Sequence, residues 1–131
     1  MHKLADSIRM FANAAEICEK LGAPYCIENP VSTISTYWRK PDYTFHPHYF
    51  TGYERNDNYT KKTCLWTGHD FVMPDAFVEN GLGRPDNRIH FASPGPDRAN
   101  LRSATPVGFA RAVYFANALG ESEPDETNIS Y

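Results

Sequence analysis

The most constraining feature of the sequence is a stop signal, Gly22 followed two residues later by Pro24, set between two apolar patterns of different period. Upstream, Leu4, Ile8, Phe11, Ala15 and Cys18 recur at steps of four and three. That is the stripe of an amphipathic helix over residues 3–21. Gly22 can adopt the left-handed conformation that closes a helix, and Pro24 blocks its continuation. Directly after it, Tyr25-Cys26-Ile27 is a short apolar run that reads as a buried strand ending in Glu28-Asn29-Pro30. A helix, a tight turn and a buried strand make half of a βαβ unit, which places the chain in the α/β class.

The rest of the chain is less regular. Pro30 and Pro41 bracket a segment with room for a short helix at Val31–Trp38. Tyr43–Phe50 alternates aromatics and histidines and reads as a strand, with Pro47 marking an edge or bulge. Thr51–Asn58 is a polar loop, and Thr60–Trp66 a second strand. Residues 69–101 are rich in Pro, Gly, Asp and Asn and should be irregular apart from one helical turn near Asp75–Glu79. Thr105 as N-cap and Pro106 at the first helical position open a final helix. Phe109, Ala112, Val113 and Ala116 form its apolar face and Gly120 its end. The expected architecture is a partial Rossmann-like sheet with two flanking helices and a long irregular segment. Residues 1–119 form one domain, and 120–131 an acidic, mobile tail.

Composition narrows the function classes. At 131 residues the chain can bury one core. Its 41% hydrophobic and 14% aromatic content excludes a disordered chain. No apolar run reaches the ~20 residues of a membrane helix, and with charged residues spread through the first 20 no signal peptide is expected. Cys18, Cys26 and Cys64 are an odd set without framework spacing, the usage of reduced thiols in a cytoplasmic protein. The net charge of −3 argues against a strongly basic nucleic-acid binder. Glu121, Glu123, Asp125 and Glu126 account for that excess and leave the rest close to neutral. Such a tail is either a solvated end or a short phosphate mimic or partner tag.

Glu28 is the first candidate for chemistry. A carboxylate at the carboxyl end of a buried strand lies where open α/β sheets bind ligands. Partial burial favours the protonated form, which suits an acid that must donate near neutral pH. Pro30 stiffens the turn and holds Asn29 extended. The plain alternative is a strand-end glutamate paired to an arginine or capping the next turn. Lys61 and Lys62, at the entry of the second strand, suit either phosphate or base contacts or the protection of a sheet edge. Arg98, Arg102 and Arg111 extend the basic set. His46, His48, Cys64 and His69 match no strong zinc spacing, so no metal is expected.

Taken in order, these segments resemble the C-terminal part of DNA (cytosine-5) methyltransferases, above all the compact phage and prophage forms. Tyr25–Pro30 resembles the family's Glu-Asn motif, with Pro30 in place of the usual Val. Tyr59–Trp66 resembles its later basic motif, with lysines replacing arginines. Leu101–Arg111 resembles its Arg-x-x-Thr-Pro-x-x-x-Ala-Arg motif. The resemblance spans residues 5–119. It implies that Glu28 is the acid that holds a flipped cytosine, with Asn29 its positioner. It further implies nucleic-acid contacts from Lys61, Lys62, Arg102 and Arg111, and a reduced target-recognition region at 69–101.

No Pro-Cys dipeptide and no Gly-rich cofactor loop occurs in the sequence. The chain alone is therefore expected to bind no S-adenosylmethionine and to be inactive, whether a split subunit or a remnant. Cofactor binding is expected only if a partner supplies the site. The alternative is a non-enzymatic phage or mobile-element protein that inhibits a host defence nuclease or restriction system. The expected partners are DNA and a polypeptide, a second copy or another chain, that pairs the open edge of the Glu28 strand.

Overall fold

The structure is a computed structural model and describes residues 2–30, 34–96 and 103–121. The first helix, α1 (His2–Leu21), ends where Gly22 adopts φ +68° and donates its N–H to the Cys18 carbonyl at 3.2 Å. Strand β1 (Tyr25–Pro30) follows, then the short helix α2 (Ile34–Tyr37) and strand β2 (Tyr43–Phe45). Single 3₁₀ turns at Pro47–Phe50 and Arg55–Asp57 lead to strand β3 (Thr63–Gly68). Residues 69–87 are largely irregular and lead into one turn of helix, α3 (Arg88–Phe91); the last of the described helices is α4 (Val107–Glu121). The sheet order is β1-β3-β2. Mixed α/β character is thus present, but β1 pairs antiparallel with β3, where the βαβ pattern suggested a parallel neighbour. The candidate arginine Arg102, Arg98 and residues 122–131 of the acidic tail lie outside the described residues.

The chain divides into two compact units. The first comprises residues 1–44 and 62–71. Its core forms where α1 crosses the β1–β3 ladder: Phe11 meets the Trp66 ring edge-on at 5.0 Å, and Ile27 packs against Phe11, Trp66 and Cys64. Trp66 is fully buried, and its indole N–H donates to the Arg39 carbonyl at 2.8 Å, so no polar atom of the ring is stranded. Asp42 ties the following loop to β3. Its backbone N–H donates to the Leu65 carbonyl, while its carboxylate accepts from the Thr67 N–H and from Arg39. Burial alone would raise the Asp42 carboxyl; those donors outweigh it and hold the group below the usual range.

The second unit comprises residues 45–61 and 72–131. Phe45 stacks on Phe109 at 4.0 Å, and Phe50 meets both rings edge-on. Gly108 is required at the start of α4, because a Cβ there would stand 2.6 Å from the Phe50 carbonyl oxygen. Helix α4 begins one position later than the sequence suggested: Pro106 supplies the first carbonyl, which accepts the Ala110 N–H at 3.0 Å. The first-turn amide of Gly108 donates to Asp57 Oδ2 at 2.8 Å. A carboxylate distant in sequence thus caps the helix and meets the positive end of its dipole.

Two sequence expectations fail for identifiable reasons. Tyr43–Phe50 is not one strand, because Pro47 at the start of a 3₁₀ turn ends extended pairing at Phe45. Asp75–Glu79 is not helical. Its backbone is spent on the 49–52 turn instead: Phe77 N–H donates to the Tyr49 carbonyl, Gly52 N–H to the Phe77 carbonyl and Glu79 N–H to Thr51 Oγ1.

Candidate functional site

The β1–β3 ladder sets the geometry of the candidate site. In its register Ile27 lies opposite Trp66, Glu28 opposite Leu65, Asn29 opposite Cys64 and Pro30 opposite Thr63. The carboxyl end of β1 therefore meets the entry of β3, and Glu28, Asn29 and Lys62 come to one end of the ladder although more than thirty residues separate Glu28 from Lys62. Alternation along a strand puts Glu28 and Asn29 on opposite faces. Asn29 shares the α1 side with Ile27, Cys64 and Trp66. Glu28 shares the other face with Cys26 and the fully buried Leu65 and Thr63.

Glu28 is half-buried, and its Oε2 has no exposure to solvent. Cys26, two residues earlier on the same face, has its thiol pushed up to about 11, first by burial and then by the charges of Glu28 and Cys18. Such a thiol stays protonated and unreactive at neutral pH, unlike a nucleophilic cysteine. Cys64 is likewise raised by burial, with Lys62 acting in the opposite direction. Lys62 is exposed.

In the second unit, Lys61 is buried, and its Nζ donates to the Ala104 carbonyl at 2.8 Å. Its backbone N–H donates to His46 Nδ1 at 3.0 Å. The ammonium is a structural tie here, which takes it away from the phosphate contact expected of it. Arg111 is exposed on α4 and donates to the Tyr53 carbonyl at 2.7 Å. His46 and His48 stack at 5.6 Å, and His48 is lowered by its burial and by His46. Among the described residues no group of three His, Cys, Asp or Glu side chains is placed to hold a metal, and no helix is long and apolar enough to cross a membrane.

Sequence reasoning missed a polar cluster at the other end of the ladder. The Tyr25 hydroxyl donates to Glu19 Oε1, and His69 Nε2 lies 3.1 Å from Glu19 Oε2. His69 and Asp70 follow Gly68 with φ of 54° and 64°, a conformation that non-glycine residues seldom adopt. Gly68 itself lies under the Tyr25 ring, where a Cβ would come within 2.5 Å of it. Only the His-Asp pair after Gly68 hinted at this turn. The cluster closes the end of the ladder and draws Tyr25 over it, so it positions β1 from the side opposite Glu28. Comparison of the chain with known protein families, characterised proteins and solved structures finds no match to any of them.

Proposed function

We propose that the chain is a DNA-modification module in which the Glu28 end of the β1–β3 ladder receives a cytosine displaced from a duplex, as its resemblance to the C-terminal part of cytosine-5 methyltransferases implies. One observation carries the reading: two motifs distant in sequence, Glu28-Asn29-Pro30 and Lys62-Thr63, meet at one end of a single ladder. A half-buried carboxyl suits hydrogen bonding to a base edge, and the exposed Lys62, at the same end of the ladder and close enough to act on Cys64, suits a phosphate of the backbone that carries the base. Asn29 lies on the other face of the strand, so it positions the turn and leaves base contact to Glu28. Lys61 is a tie within its own unit. Methyl transfer needs a nucleophile and an S-adenosylmethionine site that these residues do not supply, so both come from elsewhere.

Fluorescence anisotropy with a duplex carrying a mismatched cytosine tests this. Micromolar binding that weakens with salt is expected, reduced ~10-fold by Lys62→Glu. Glu28→Ala should abolish the preference for mismatched cytosine over mismatched thymine, an effect of up to ~10-fold for one hydrogen bond. No binding at 100 µM chain (about the weak limit of non-specific binding) would overturn the proposal in favour of the non-enzymatic reading.

A further inference from the structure

The first unit leaves two surfaces open on the same side. β1 is an edge strand, and among the described residues nothing pairs with its outer side. It carries no lysine and no bulge, and its edge protection is limited to the charge of Glu28 and to Pro30 at its last position, which leaves Tyr25-Cys26-Ile27 unguarded. Helix α1 lies over this edge strand and carries a second apolar stripe, Met10, Ala14, Ile17 and Leu21, beside the buried one. Met10 is 72%, Ile17 59% and Leu21 73% exposed. The spacing of four, three and four residues is that of a helix-pairing seam.

The direction of this stripe follows from the helix geometry. Phe11, Ala15 and Cys18 face the sheet. Successive residues turn by about 100°, so Ile8, Ala12 and Glu19 lie on one flank of that stripe and Met10, Ile17 and Leu21 on the other. The first flank faces an apolar groove of about 340 Å³ whose far wall is Tyr37 and Trp38. Arg39 and Asp42, just beyond, bond to Trp66, Thr67 and Leu65 on the side of β3 away from β1. The second flank therefore faces the opposite way, over the open edge of β1.

We infer that a second copy of this chain covers both surfaces at once, related by a two-fold axis perpendicular to the sheet, with β1 pairing antiparallel to β1 and α1 packing antiparallel to α1. Strands in a sheet stand about 4.8 Å apart, and α1 touches both Ile27 and Trp66, so it sits over the space between β1 and β3. Extending the sheet by a second β1 and β3 then sets the two α1 axes about 10 Å apart, the distance at which helices pack. Antiparallel pairing of the stripe places Ile17 against Ala14 and Met10 against Leu21. It sets Lys20 opposite Asn13, so no like charges meet. In the strand, a register with Ile27 opposite Ile27 keeps the α1 face continuous and sets Glu28 against Cys26; the next register would oppose two Glu28 carboxylates. Six strand residues and four stripe residues a side fall short of the ~20–30 of a standard interface, so the dimer is a weak, isologous one.

Sedimentation equilibrium of the full chain from 5 to 200 µM tests it, over the roughly micromolar range suited to a small interface. The expected result is a monomer–dimer equilibrium in the micromolar range. Ile17→Glu and Met10→Glu should each raise the dissociation constant at least ~10-fold with the circular dichroism unchanged. Phe91→Glu, at an exposed phenylalanine of the other unit, should leave it as it is. A chain monomeric throughout would overturn the inference and point to a foreign strand–helix unit on this edge. A dimer that Ile17→Glu leaves intact, or that Phe91→Glu dissolves, would overturn it as well.

Discussion

The two units are held together by different means. In the first, regular backbone pairing does most of the work: a twenty-residue helix, a six-residue antiparallel ladder and a core of Phe11, Trp66, Cys64 and Ile27. In the second, the described residues outside α4 have little regular backbone structure, and side chains satisfy what a ladder otherwise would. Asp57 accepts from Gly108 N–H, Lys61 donates to Ala104, Arg111 to Tyr53 and Arg88 to Asn56. Asn117 does so twice: its amide donates to the Val72 carbonyl and accepts the Val72 N–H, as a strand neighbour would. A ladder spreads its stability over many equivalent bonds. A set of individual ties concentrates it in single side chains, so the second unit should be the more sensitive to point substitution of polar residues.

The largest effects should come from the two cores and be local to each unit. Phe109→Ala removes the ring stacked on Phe45, and Trp66→Ala the ring under Phe11. Each should cost ~3–5 kcal/mol in urea unfolding. Native-state hydrogen exchange should show protection lost first in the unit that carries the substitution. Equal loss in both units would mean that they fold as one and that the contrast is not energetic.

A smaller effect separates ties from ladder. Asp57→Ala strands the Gly108 amide and removes the charge at the start of α4, and should cost ~1–2 kcal/mol. Glu16→Gln, which breaks an exposed pair with Lys20 on α1, should change stability by less than ~0.5 kcal/mol. If the two substitutions cost the same, individual polar ties do not hold the second unit.

The smallest expected effect is a pH dependence confined to the first unit. The Cys26 thiol is raised to about 11 on folding, so the unfolded chain loses that proton first. The stability it lends is full below pH ~9, the ordinary thiol range, and is lost as the pH rises toward about 11. The loss should be ~1–2 kcal/mol after allowing for its partial exposure. Alkaline melts of Cys26→Ala should lack this limb; an unchanged alkaline limb would assign it to another group, such as Tyr25, whose hydroxyl is also raised by burial.

How much of this was legible in the sequence follows from the range of the interactions. Helix α1, its Gly22 terminus and β1 were readable because a stripe and a stop signal are local. So was the opening of α4, to within one residue. The antiparallel register of β1 and β3 was not, because pairing across more than thirty residues leaves no mark in either segment. Lys61 and Lys62 are adjacent and alike in sequence, yet one is buried against Ala104 and the other exposed. Strand alternation separated Glu28 from Asn29 in the same way. The cluster of Tyr25, Glu19 and His69 depends on the turn after Gly68, which only three-dimensional placement reveals.

The most direct test of the proposed function is chemical-shift mapping. The ¹⁵N-labelled chain is titrated with a duplex that carries one mismatched cytosine. The largest perturbations are expected on the backbone amides of Glu28, Asn29, Lys62 and Thr63, at one end of the β1–β3 ladder, and a mismatched thymine should reproduce those at Lys62 but not those at Glu28. Perturbations centred elsewhere, or identical for the two bases, would contradict the proposed function.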